Sequence, residues 1–264
     1  MLKTMTSPSL NGRTAVVTGG ARGLGHAIAE ALAARGADIA ILDLLSAGLQ
    51  ATEAIADTYG VRTTFSTVDV TDETSIVAAF DSIEAVLGSA DILVNSAGIS
   101  SGIPGMDITA ASWNQLFAVN VTGTLSCSQE FARRFVAARG NSERTASIVN
   151  LTSMSAIAVN VPQTQSAYNS SKAAVAMMTK SLAIEWLPLG IRVNAIAPGY
   201  FASDMTLDFI KRNPEIAQQW IDRIPAGRMG EPHELGPLVS YLVSDEAAYV
   251  VGQNFVIDGG YTLV

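Results

Sequence analysis

TAVVTGGARGLGHAIAEALA, residues 14–33, opens on an apolar β-rich run, breaks at a glycine cluster and continues as an alanine-rich segment. In that last part Leu24, Ile28 and Leu32 recur at helical spacing. The order is strand, glycine turn, helix. Gly19, Gly23 and Gly25 allow backbone angles and close approaches that side chains forbid. The N-terminus of the following helix offers free N–H groups and a positive dipole to a pyrophosphate. The spacing Gly19-x3-Gly23-x-Gly25 differs from the general GxGxxG fingerprint. A plain tight turn is the alternative, and the position between a first strand and a helix favours the phosphate cradle.

Outward from this unit, short β-rich runs alternate with longer helix-period runs. The strands are expected at 14–18, 38–42, 63–68, 92–95, 147–151, 192–196 and 254–257. Ile76, Phe80, Ile83 and Leu87 mark a second helix. Alternation with continuously apolar strands predicts an α/β fold with a parallel sheet covered on both faces. No linker or repeat interrupts the chain, so residues 1–264 read as one domain. Two long connections stand out, 96–111 and 198–230. The second holds Pro198, Pro214 and Pro225 around a short helical pattern. It is expected to be a lid over the carboxyl ends of the strands.

Asp43 closes the second strand and Asp69 the third. A carboxylate at Asp43 accepts hydrogen bonds from a ribose 2′-hydroxyl and repels a 2′-phosphate, which favours NAD over NADP. Arg22 in the glycine turn points the other way, because a base there meets a 2′-phosphate. Asp69 is placed for an adenine amino group, or as a cap on the helix beginning near Thr71.

Composition narrows the classes. Charged residues are 15% of the chain, below the roughly 25% of ordinary soluble domains, so much of it is buried. Acids outnumber bases 24 to 16, for a formal charge of −8. That sign repels nucleic-acid backbones and anionic lipid, so neither is an expected partner. Cys127 is alone and His26 and His233 are the two histidines, which leaves no metal site expected. The first ten residues lack an apolar h-region, and no apolar run reaches the ~18 residues of a membrane span. A soluble, cytoplasmic protein is expected.

Tyr168 and Lys172 stand four residues apart in SAYNSSKAAVAMMTKSLAIE, a segment with helical spacing of Val175, Met178 and Leu182. Four residues put both on one helix face. A phenol is a poor acid-base group at neutral pH, and an adjacent ammonium is expected to lower its pKa. An amphipathic helix with incidental Tyr and Lys is the plain alternative.

The order TGGARGLG, Asn95-Ser96-Ala97-Gly98, Asn120, Ser153, Tyr168-x3-Lys172 and Pro198-Gly199 resembles the short-chain dehydrogenase/reductase family. The resemblance extends to the closing Asp258-Gly259-Gly260. It implies a single Rossmann-type, doubly wound domain with a seven-stranded parallel sheet flanked by helices. It also implies catalytic roles. Tyr168 is the proton donor to a ketone or the base toward an alcohol, in step with hydride transfer. Lys172 tunes Tyr168 and holds the nicotinamide ribose. Ser153 stabilises charge on the substrate oxygen, and Asn120 supports a water-linked relay to Lys172. By the same resemblance the dinucleotide runs past Gly19, Arg22, Gly23, Leu24 and Gly25, then Asp43, then Asp69 and Val70. It continues across Asn95, Ala97 and Gly98 to Tyr168 and Lys172. Pro198, Gly199, the Phe201 backbone and the Ser203 hydroxyl close over the carboxamide.

Three positions depart from the family pattern. Ser96 replaces a common Asn, and Ser203 a common Thr. Ser153 lies further from Tyr168 than in many members, which makes Ser155 a rival for its role. That longer segment, SMSAIAVNVPQTQSAYNSSK, resembles the polyol dehydrogenases and ketose reductases of the family. Ser155, Asn160 and Gln163, with Ser153 and Tyr168, are the candidate substrate residues, offering hydrogen bonds to several hydroxyls. A surface turn around Pro162 is the alternative. The competing enzyme is a 3-oxoacyl–acyl carrier protein reductase, against which Asp43 and the net acidity both count. Hydroxysteroid reduction would use Phe201, Phe209 and Trp220 as an apolar wall, although lid packing or subunit contact explains them as well. A non-catalytic nucleotide sensor typically lacks the tyrosine or lysine.

His26, His233 and Cys127 are read as structural or solvated, and Arg133-Arg134 as a solvated face or interface pair. Helices near 112–138 and 167–187 carry small and apolar residues on more than one face, including Ala173, Ala174, Ala176 and Met177. The family commonly pairs such helices, so a homotetramer is expected.

Overall fold

The computed structural model describes residues 9–264. Residues 1–8, most of the N-terminal stretch in which no targeting signal is expected, lie outside the described residues.

Seven strands form one sheet in the order β3-β2-β1-β4-β5-β6-β7, every pair parallel. They are β1 Thr14–Thr18, β2 Asp38–Asp43, β3 Thr63–Thr67, β4 Ile92–Asn95, β5 Ala146–Leu151, β6 Ile191–Pro198 and β7 Asn254–Ile257. The helices between them are α1 Gly23–Ala33, α2 Ala47–Tyr59, α3 Glu73–Leu87, α4 Ala110–Phe117 and α5 Thr124–Arg139. They continue with α6 Ser166–Trp186, α7 Asp204–Arg212, α8 Pro214–Ile221 and α9 Gly236–Val243.

Period-two alternation sends neighbouring side chains of β1 to opposite cores. Val16 joins Phe80 of α3, Phe131 of α5 and Leu182 of α6. Ala15 and Val17 join Ile28 of α1, Ile55 of α2 and Val239 of α9. Helices on both faces are why the inner strands read as unbroken apolar runs. Strand order reverses between β1 and β4, which opens a crevice at their carboxyl ends.

Several boundaries move. β3 ends at Thr67 and β5 begins at Ala146. β6 runs on to Pro198, which pairs with Ile257, so the lid begins after Pro198 rather than at it. The loop after β4 contains a 3-10 turn, Gly105–Asp107, and ends where Thr109 caps α4 in a capping box with Ser112. The lid carries two helices, α7 and α8. Between α4 and α5 the chain widens into a π-helical turn, Ala118–Gly123, that holds Asn120. Among the described residues no helix is long and apolar enough to cross a membrane.

Candidate active site

The glycine turn is shaped by contacts that only glycine permits. Gly19 has φ +66°, and a Cβ on it would lie 2.8 Å from Ala97 Cα. A Cβ on Gly25 would collide with the Gly19 carbonyl. Gly23 also has positive φ, at +61°. Thr18 Oγ1 accepts the N–H groups of Ser96 and Ala97, both at 3.1 Å, and locks the end of β1 to the end of β4. Arg22 stands at the N-cap of α1 with extended backbone, exposed, and makes no side-chain cap. The first N–H groups of α1 therefore face the crevice uncapped by a side chain. This cradle fits a dinucleotide pyrophosphate.

Asp43 is held from both sides, accepting the Ala21 N–H at 3.0 Å and the Leu45 N–H at 2.9 Å, one on each oxygen. Each oxygen keeps a lone pair for a ribose hydroxyl. Asp69 spends Oδ1 on the Thr71 N–H and hydroxyl, at 2.9 and 2.7 Å, and does not cap α3. That cap is Asp72, which accepts the Thr74 N–H.

A cleft of about 440 Å³ joins these groups to Ser153, Tyr168 and Lys172. Gly19, Arg22, Gly23, Leu24, Gly25 and Asp43 line one end, and Asp69 and Val70 the adjacent wall. Ala97 and Gly98 form the floor, with Ser153, Tyr168 and Lys172 beyond them. Pro198, Gly199, Phe201 and Ser203 also line it, and a Cβ on Gly23 would lie 3.9 Å from Ser203 Cβ. The cleft also takes in Ile99, Val119, Asp204 and Thr206, which the sequence did not single out. Their side chains carry no motif, and only the folding of the loop after β4 and of the lid brings them in. A broader depression of about 500 Å³ lies at the other end of the sheet. Four of its charged residues are paired, Arg13 with Asp245 and Arg144 with Asp91, both at 2.6 Å.

Tyr168 and Lys172 share one face of α6. Lys172 is buried and donates from Nζ to the Leu151 carbonyl at 2.8 Å. Its Nζ lies 5.7 Å from the centroid of the Tyr168 ring. Burial pulls the ammonium down to about 8. Burial also pushes the Tyr168 phenol above its ordinary value, and the hydrogen bond with Ser153 opposes that rise. This reverses the direction expected from Lys172. Desolvation sets the direction, and the Lys172 ammonium donates to the Leu151 carbonyl rather than to the phenol. Ser153 caps the 3-10 turn Met154–Ala156, and its Oγ accepts the Ser155 N–H at 3.1 Å. Ser155 donates its own hydroxyl to Asn160 Oδ1 at 2.6 Å, so the rival serine is committed elsewhere.

Asn120 is buried behind the cleft rather than in its lining. Its Oδ1 accepts the Ile99 N–H and its Nδ2 donates to the Ile99 carbonyl, both at 2.9 Å. Nδ2 also donates to Ser171 Oγ at 3.0 Å. Gly98 separates it from Lys172: a Cβ there would lie 3.3 Å from Asn120 Oδ1 and 3.6 Å from Lys172 Nζ.

Other positions differ from expectation. Asn95 does not reach the cleft. It is buried, donating to Ser128 Oγ and Asn150 Oδ1, both at 2.9 Å, because the β4–β5 register places it beside Asn150. Asn160 and Gln163 turn their amides to Tyr200 Oη, at 3.3 and 2.6 Å, so these groups are tied to the protein. Tyr200 has no role in the sequence reading. Its neighbour Phe201 is buried and forms a bridge with Gly230 that closes the base of the lid. Arg134 is not a solvated residue: it bonds Glu130, Asp81 and Glu84 at 2.6 to 2.8 Å and ties α5 to α3. Cys127 is fully buried, and burial pushes its thiol up to about 12.

Residues 19–262 match the family described as enoyl-(acyl carrier protein) reductase. The chain is 43% identical over 255 residues to a galactitol 2-dehydrogenase (L-tagatose-forming) of Cereibacter sphaeroides, covering 96% of each. It is 36% identical over 269 residues to a ribulose-forming D-arabinitol 2-dehydrogenase of Scheffersomyces stipitis, covering 96% of this chain and 94% of that one. A solved gluconate 5-dehydrogenase of Burkholderia cenocepacia, in complex with NADP and tartrate, superposes with a TM-score of 0.89. It is 32% identical and is covered, like this chain, over 97% of its length.

Proposed function

The chain belongs to the short-chain dehydrogenase/reductase family and is an NAD(P)-linked oxidoreductase, and on that premise we propose that it interconverts a sugar alcohol and its ketose with NAD. The observation that carries this reading is that Ser153, Tyr168 and Lys172 line one cleft together with a glycine cradle and Asp43, with Lys172 Nζ 5.7 Å from the centroid of the Tyr168 ring.

The nicotinamide of a bound dinucleotide supplies the hydride acceptor or donor. The remaining work belongs to the chain. Tyr168 keeps its proton at neutral pH and gives it to a ketone oxygen; toward an alcohol its phenolate takes that proton. Ser153 donates a hydrogen bond to the same substrate oxygen as charge develops there. Lys172, held by Leu151, is placed to bind ribose hydroxyls. Gly19, Gly23 and Gly25 admit the pyrophosphate, and Asp43 takes the adenosine ribose. Its charge at that point opposes a 2′-phosphate, although exposed Arg22 stands at the same end and the gluconate 5-dehydrogenase holds NADP.

The polyol assignment draws on the relatives that act on galactitol and arabinitol. Acidity disfavours an acidic carrier-linked substrate. The low charge and single cysteine support a reducing, cytoplasmic setting. Met177 and Ile184 on α6 are 61% and 73% exposed, which supports burial of that face in a homotetramer. The deciding experiment is a screen of galactitol, D-arabinitol and sorbitol with NAD and NADP, following absorbance of the reduced nicotinamide. Turnover of a polyol with NAD is expected. Inactivity on every polyol, together with NADPH-dependent reduction of a 3-oxoacyl carrier, overturns the reading.

A further inference from the structure

Trp220 sits on α8 in the lid, 5% exposed, with its ring stacked between Tyr200 (centroids 4.3 Å apart) and Phe209 (5.2 Å). An indole N–H can only donate, so its 2.9 Å bond to Gln163 Oε1 fixes the orientation of that amide. Gln163 Nε2 then donates to Tyr200 Oη at 2.6 Å, and Asn160 Nδ2 donates to the same oxygen at 3.3 Å. Ser155 Oγ donates to Asn160 Oδ1 at 2.6 Å, and the Ser155 N–H donates to Ser153 Oγ at 3.1 Å. Hydrogen bonds therefore run without a break from the lid indole to Ser153, which lines the cleft with Tyr168.

We propose that Tyr200 and Trp220 are positioning residues that tie the seating of the lid to the placement of Ser153. The proposal takes Ser153 and Tyr168 as the reacting pair described above. Packing alone does not account for the arrangement. Phenylalanines would stack as well, whereas a largely buried phenol, an indole N–H and two amides are useful only when each finds its partner. Tyr200 is the hub: it takes both amides at its hydroxyl, stacks on Trp220 and meets Tyr261 of the C-terminal segment edge-on at 5.5 Å. A docked α8 thereby holds Ser153 in place beside Tyr168, and an undocked α8 does not.

The test compares Tyr200→Phe and Trp220→Phe with the parent chain. Both keep a stacking ring; Trp220→Phe removes the bond to Gln163 Oε1, and Tyr200→Phe removes both amide bonds at Oη. In the protein without substrate, hydrogen exchange across residues 153–163 is expected to speed up roughly threefold or more, with β5 and β6 unchanged. With galactitol and NAD, kcat is expected to fall about tenfold while NAD affinity stays close to the parent value and both variants still unfold cooperatively above the assay temperature. Ser153 holds the Tyr168 phenol down, so the alkaline rise of the oxidation rate moves to higher pH in both variants. Lys172, the charged group packed against Tyr168, is untouched by either change. Unchanged exchange across 153–163 overturns the proposal. Faster exchange with an unmoved pH profile also overturns it, because Ser153 then does not respond to the lid. The exchange measurement needs no substrate, so inactivity of the parent chain on polyols tells against the function and not against this linkage.

Discussion

Lys172 Nζ and the Leu151 carbonyl meet at 2.8 Å, where the buried face of α6 crosses the end of β5. An ammonium held there is kept charged at neutral pH against its own burial. Its pKa falls from 10.5 to about 8. Between those values the unfolded chain binds the extra proton, so stability rises with pH across that window and the penalty is fully present below it.

The first prediction follows from this sign. The urea midpoint of the parent minus that of Lys172→Met should climb from pH 8 to pH 10, by an amount corresponding to a few kcal/mol over the whole window. Subtracting the variant removes the opposing contribution of Cys127, whose raised thiol loses stability over the same range. Turnover in Lys172→Met should drop by at least about a hundredfold. A flat difference curve would show that the lysine is not desolvated.

Asp43 sets the second. Asp43→Asn keeps an acceptor for a backbone N–H but removes the charge that opposes a 2′-phosphate. The ratio of kcat/KM for NAD over NADP should shrink about tenfold or more, mostly by improvement with NADP beside Arg22. Steady-state kinetics with both dinucleotides reads it directly, and an unaltered ratio would assign cofactor choice to other groups.

The third concerns the polar ladder beneath the site. Asn150 accepts from Asn95 and donates to Thr179, each at 2.9 Å, with all three side chains buried. Asn150→Ala leaves one N–H of the Asn95 amide without its acceptor and Thr179 Oγ1 without its donor, and should cost about 2–3 kcal/mol of unfolding free energy. Dinucleotide affinity should be retained, because neither Asn95 nor Asn150 lines the cleft. Equilibrium unfolding and calorimetric binding separate the two effects.

The alkaline behaviour of Tyr168 connects these experiments to mechanism. A phenol raised by burial favours the protonated form that reduction needs, so oxidation should accelerate with rising pH.

The amino-acid order by itself determined the architecture: β1, β4 and β7 fall on the predicted residues, and the remaining strands differ from prediction only at their ends. Burial on both faces of a parallel sheet writes itself as continuous apolar runs, and helices write a 3.6-residue period, so both are legible locally. Gly19, Gly23 and Gly25 are legible for the same reason, since backbone angles are a local property. Tertiary structure alone decided where the polar side chains point. Gln163 meets Trp220 across 57 residues and Asn95 meets Asn150 across 55. Which amide finds which partner depends on the strand order and on how the lid closes, and no local pattern encodes either. The same holds for Tyr168: its spacing from Lys172 is written in the chain, but the burial that raises its pKa arises only when the sheet, α6 and the lid are assembled around it.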